Sequence, residues 1–435
     1  MQGTKNVFSL KWTVVLSLAA KFALFLVGVA IIGITSTRTE LSACGSSSAG
    51  FPIYTPPLGN LEAYSDYRDL YLKCLVNPFI SGSGAYNLPI VYNYPPLFLY
   101  TLSVFALDIA AWSPAIALVL FDALTVIPVY LIARDFLFSG NNKAAFAVSM
   151  IWVFNPINLF YNDLMWLNPG PTTFFLMLGI YLFLKQKWAL SSMALAVSTG
   201  FKQTAVILFP ILVVMMVKTI GFTKKTIAFI TLYVSSLVVI STPYLFQIPQ
   251  TYFWALQLPI FGNPPGAGPS APATFVYDLS QPTRLTSFLG LVNFTNLKPL
   301  AVATYPYLNY IFAISYAALI LQMYFTKRKL TNRDYLLYLF TALLLFFTFF
   351  GRGVYKYYFA GITPLALPLF SSRKGAIVFE AFSLILLLIP REVTPWMALL
   401  LITFVPSLIS SQARNSMSEF DLDQDFKADR PIESS

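Results

Sequence analysis

Histidine is absent from the 435-residue chain. That removes the usual neutral-pH base, every serine-histidine triad and every histidine-ligated metal site, so proton chemistry falls to Asp, Glu, Tyr, Lys or Cys. Charge is scarce too: 11% of residues are charged, against 57% hydrophobic. A soluble domain of that balance could not hide its apolar surface, so the class is a polytopic membrane protein in a lipid bilayer. Cysteine is limited to Cys44 and Cys74. A soluble basic domain is lacking, which excludes nucleic acid as a partner despite a net charge of +10.

What is present is a series of apolar runs. The first, residues 12–35, follows Lys5 and Lys11 and reads as a signal anchor with its N-terminus inside. Further runs lie at 115–133, 144–162, 171–184, 188–201, 204–217, 226–246, 304–325, 334–350, 354–370, 375–390 and 393–409. The expected fold is all-α, with about twelve transmembrane helices over residues 1–409. The tail, 410–435, is polar and acidic, and is expected to be disordered in the cytoplasm; from Glu419 to Glu433 six acids outweigh Lys427 and Arg430.

Residues 94–111 are also apolar, and charge decides how they lie. If they crossed, thirteen basic residues between Arg134 and Lys374 would face outward. If they do not cross, those residues are cytoplasmic, and the short outer loops keep Lys202, Arg352, Lys356 and Arg391. The second arrangement is expected, with 94–111 as a helix on the outer membrane surface that carries Asp108. Two long outer loops follow, 36–114 and 247–303, and both termini are cytoplasmic. Cys44 and Cys74 share the first loop on an oxidising side, which favours a structural disulfide. Asn293-Phe-Thr295 is an outward glycosylation sequon.

This topology places the unusual polar residues on one side. Asp66 and Asp69 stand among tyrosines in the first loop, Asp163 is followed by Trp166 and Asn168, and Lys202 by Gln203; Arg352 and Lys356 share one short loop. Asp122 lies inside an apolar run, where a functional role and a structural hydrogen bond stay equally open. Such a set suits transfer of a sugar from a lipid phosphate. The leaving group is already a stable anion, so the reaction needs cations to hold it and one base for the acceptor hydroxyl. A glycosidase usually needs a second carboxyl as acid.

Five segments in order resemble one family: Asp66-Tyr67; Asn93-Tyr94-Pro95-Pro96-Leu97; Leu118 to Leu124 around Asp122; Phe154-Asn155-Pro156 with Asn162-Asp163; and Phe201-Lys202-Gln203. Together, over roughly residues 60–215, they resemble the GT-C glycosyltransferases that use dolichyl- or polyprenyl-phosphate sugars, especially the N-glycan glucosyltransferases and the first mannosyltransferase of GPI-anchor assembly. The family's Asp-His and His-Phe signatures are replaced here by Asp163-Leu-Met-Trp-Leu-Asn168.

The resemblance implies a hexosyltransferase moving mannose or glucose from a polyprenyl- or dolichyl-phosphate donor to a glycan or glycolipid acceptor. The active site is then extracytoplasmic, in a plasma or ER-type membrane. The flanking pattern favours Asp66 as the base, with Asp69 and Asp163 as second acids or acceptor contacts. Lys202, Arg352 and Lys356 are expected to hold the donor phosphate, the last two on chemistry alone. Tyr67, Tyr94, Trp166, Asn168 and Gln203 are expected to line the cavity. No cofactor is required, although Asp66 and Asp69 could share a divalent ion. The rival reading is a secondary transporter or flippase with intramembrane charges such as Asp122 on its path.

Overall fold

The computed structural model describes residues 8–32, 66–82, 84, 94–106, 110–167, 169–256, 307–327, 330–349, 356–370 and 372–388. These are mostly helical, with no strand among them. Helix α1 (Leu10–Ile32) is followed by α2 (Asp66–Val76), α3 (Pro96–Val104), α4 (Ala115–Leu124), α5 (Val126–Ile132) and α6 (Asn142–Val153). Then come α7 (Pro169–Leu184), α8 (Trp188–Phe201), α9 (Phe209–Ile220) and α10 (Lys224–Gln247). The last three are α11 (Leu308–Phe325), α12 (Asn332–Phe349) and α13 (Arg373–Leu388).

Four helical stretches are long and apolar enough to cross a bilayer: Leu10–Ala30, Ala115–Leu137, Gln203–Ile220 and Lys224–Gln247. A fifth is formed if Asn142–Val153 and Pro156–Leu164 act as one span bent by 44°. The bend follows from Asn155-Pro156: the Asn155 side chain accepts from the Asn158 amide at 3.3 Å, opening a new helix, while proline supplies no N–H to continue the old one. Helices α7, α8 and most of α11 are shorter apolar pieces. Helix α3, with nine residues, is about 13 Å long and cannot cross alone; it buries Phe98, Leu99 and Leu102.

Large apolar side chains such as Leu26, Val239, Phe246, Ile314 and Phe325 are exposed, as expected of surfaces that face lipid. Helix α12 is the opposite: from Leu336 to Thr348 every residue is buried, so it runs through the middle of the bundle. Its start is fixed by a reciprocal cap, in which the Asp334 carboxylate accepts from the Thr331 amide at 2.8 Å and the Thr331 hydroxyl accepts from the Asp334 amide at 3.3 Å.

Several basic residues sit at helix C-termini. The Lys218 ammonium donates to the carbonyls of Tyr324 (3.1 Å) and Thr326, at the end of α11. Asp135, just past α5, joins Arg134 (2.6 Å) to Lys185 (2.8 Å), just past α7. That hydrogen bond lifts the Lys185 ammonium above its usual range.

The expected span 393–409, the tail 410–435, Asp108, Asn293 and residues 257–303 of the second outer loop lie outside the described residues.

Candidate functional site

Lys21 lies near the middle of α1 and is fully buried. Its ammonium pairs with Asp122 on α4 and, at 2.8 Å, with Asp163 in the helical segment Leu159–Leu164. It also lies 4.9 Å from the centre of the Trp152 ring on α6. Asn162 donates to the second oxygen of Asp122 at 2.8 Å. One turn before Lys21, Ser17 donates to the Ala123 carbonyl at 2.9 Å. An isolated charge buried this deeply is not tolerated, so the three ions hold α1, α4 and the 159–164 segment together.

Two glycines permit the close approach. A Cβ at Gly28 of α1 would lie 2.8 Å from the Leu164 carbonyl oxygen, and one at Gly170, in the first turn of α7, would collide with the Leu118 carbonyl oxygen of α4.

From Asp163 the chain turns through Trp166, whose φ of 54° is unusual for a bulky residue. The Trp166 ring is buried against Phe25 (5.3 Å) and Tyr67 (5.0 Å). The Tyr67 hydroxyl donates to the Ala111 carbonyl at 2.8 Å and accepts from the Ala115 amide at 3.1 Å, fixing α2 at the start of α4. Tyr71 and Tyr94 both pack on Phe98. Asp66 is the first residue of this anchored helix and Asp69 lies one turn along it; only their backbone is described.

Lys202 follows α8 and is 7% exposed. Its ammonium lies 3.7 Å from the centre of the Tyr358 ring and 5.1 Å from that of Tyr357, a cation–π arrangement. Around it is a cavity whose polar lining is Thr172, Thr173, Thr204 and Tyr358, with Leu176, Ala205, Leu343 and Phe347 as apolar wall. Among these lining residues Lys202 is the single basic group; burial pushes its ammonium well below the usual lysine range, so an anion beside it would favour the charged form. The arrangement can take an amphiphile with an anionic head.

The expected residues therefore fall into separate groups. Tyr67, Tyr94 and Trp166 meet in the aromatic packing behind Asp66 and Asp69. Asp163 joins the ion triad with Lys21 and does not line the Lys202 cavity. The first turn of α7 separates the two: Gly170 abuts Asp122, while Thr172 and Thr173 face the cavity. Gln203 opens the 3-10 turn Gln203–Leu208 beside Lys202, and Lys356 opens the short helix Lys356–Ala360 that carries both tyrosines. Asn168, Arg352 and Cys44 lie outside the described residues. Cys74 is disulfide-bonded, and Cys44 is the only other cysteine in the chain.

Sequence reasoning did not single out Lys21, Thr172 or Tyr358. For Lys21 there was a signal, a lysine in the middle of an apolar helix. Thr172 and Tyr358 had none, because hydroxyls are common in membrane helices.

Residues 84–256, about two fifths of the chain, match the family described as ALG3 protein. Among curated proteins none matches in sequence. The matched stretch contains Asp122, Asp163, Thr172 and Lys202. Together with the apolar helices, the match makes the chain an ER-type integral membrane protein and a glycosyltransferase that uses a dolichyl-phosphate-linked sugar, resembling the N-glycan mannosyltransferases of GT-C type.

Proposed function

We propose that the chain transfers mannose from dolichyl-phosphate mannose to a hydroxyl of a lipid-linked glycan, inverting the anomeric configuration, on the extracytoplasmic face of the membrane. The observation that carries this reading is the cavity around Lys202, which sets one basic group against an apolar wall and whose Thr172, Leu176, Lys202 and Thr204 lie inside the stretch matched to the mannosyltransferase family. The acceptor oxygen attacks the anomeric carbon as Asp66 takes its proton. The bond from that carbon to the phosphate oxygen breaks, and its electron pair leaves with dolichyl phosphate. Lys202, Arg352 and Lys356 hold that anion, and Asp69 contacts the acceptor. Asp163, engaged by Lys21, serves the scaffold. The step as written needs no metal.

The helices of residues 1–409 form one catalytic unit, with loops 36–114 and 247–303 outside and the tail 410–435 in the cytoplasm. The anchoring of α2 through Tyr67 supports Asp66 as base, because a base has to be held within hydrogen-bond reach of the hydroxyl it serves.

The test is transfer by the full chain in liposomes, supplied with dolichyl-phosphate mannose or glucose and a lipid-linked glycan. Mannose is expected to be transferred, and Asp66→Asn to lower turnover by about 100-fold or more while the protein stays folded. A folded Asp66→Asn enzyme with near-normal turnover would remove Asp66 as the base. Preference for the glucosyl donor would remove mannose.

A further inference from the structure

Thr172 lies in the first turn of α7, 7% exposed, and lines the Lys202 cavity. Its hydroxyl is buried without a hydrogen-bond partner among the described residues. That is unusual: a buried hydroxyl normally finds a partner, and a helical threonine can often use the carbonyl one turn back. Its own backbone is fully engaged in packing, since the Thr172 carbonyl accepts from Ser198 of α8 at 2.7 Å. The backbone is thus tied to α8 while the side-chain oxygen lacks a partner among the described residues. The same turn is the N-terminal end of a 16-residue helix, where the backbone dipole favours negative charge. Among the described lining residues there is no carboxylate.

We propose that Thr172 is a donor-binding residue whose hydroxyl, in the same cavity as Lys202, donates to a phosphate oxygen of the lipid-linked donor. The inference rests on the reading of this cavity as the donor-phosphate site and adds a neutral hydrogen-bond donor to it. The hydroxyl then finds in the ligand the partner that the described residues do not supply, and it favours the phosphate ester over the free lipid alcohol.

The experiment measures thermal unfolding of the full chain in detergent at increasing dolichyl phosphate, with dolichol and inorganic phosphate as separate arms. A ligand that binds the folded state raises the midpoint in proportion to its affinity. For the wild-type chain, dolichyl phosphate is expected to stabilise far more than either component alone. Thr172→Val, which keeps the shape and removes the hydroxyl, is expected to need at least about 10-fold more dolichyl phosphate for the same shift. Its response to dolichol should be unchanged, and Thr172→Ser should restore the wild-type response.

If Thr172→Val responds to dolichyl phosphate like wild type while Lys202→Met does not respond, the Thr172 proposal falls and the cavity keeps its assignment. If neither variant alters the response, both readings fall. Equal weakening toward dolichol and dolichyl phosphate in Thr172→Val would mean that the residue shapes the lipid wall, and would also overturn the proposal.

Discussion

Lys21 carries an ammonium about 16 Å along α1, close to the middle of a hydrocarbon core roughly 30 Å thick. It survives there because Asp122 and Asp163 both pair with it. Removing the cation leaves two carboxylates buried against each other. Lys21→Met is therefore expected to destabilise the protein by about 3–5 kcal/mol, read as a fall in the unfolding midpoint in detergent. Adding Asp163→Asn to that variant removes one of the stranded charges and is expected to recover much of the loss. Wild-type stability in the single variant would show that the triad carries no stability. Asp122 and Asp163 were both visible in the sequence as acids in or beside apolar runs. Their shared partner was not, since nothing in a linear pattern pairs residue 21 with residues 101 and 142 positions further on. Asp163 illustrates the consequence: its place beside Trp166 and Asn168 in sequence made it an acceptor candidate, and its pairing with Lys21 could not be read there.

Among the elements, α7 does most to define the candidate site, because its first turn touches Asp122 on one side and the Lys202 cavity on the other. The run 171–184 was plain from hydropathy, as were α8 and α10, since continuous apolar segments bounded by Lys, Pro or Gly mark helices without reference to their neighbours. Which helices touch was not legible, because a helix that is apolar all round gives no preferred face. Glycine is the local exception, since only a residue without a Cβ lets α7 approach the α4 backbone this closely. Gly170→Ala is expected to push α7 away from α4 and to cost about 1–3 kcal/mol through overpacking. It should also weaken dolichyl phosphate binding, because Thr172 moves with the turn. An unfolding midpoint and a lipid response both equal to wild type would mean that the contact yields without cost.

For the whole molecule the open quantity is orientation, and charge provides the argument. Arg134 and Lys185 are tied through Asp135, and Lys218 caps α11, so these three cations stand at helix ends. Lys202 stands apart, buried among tyrosines at the start of the Gln203–Leu208 turn. The positive-inside rule predicts the Lys185 and Lys218 ends in the cytoplasm and Lys202 toward the lumen, the orientation that the proposed extracytoplasmic transfer requires. A glycosylation acceptor sequence inserted beside Lys185 should stay unmodified in sealed microsomes, and one inserted in the 247–303 loop should be glycosylated. A tag after residue 435 should be open to added protease without detergent. The reverse pattern would place the Lys202 cavity in the cytoplasmic half and exclude luminal transfer, whatever the fate of Asp66.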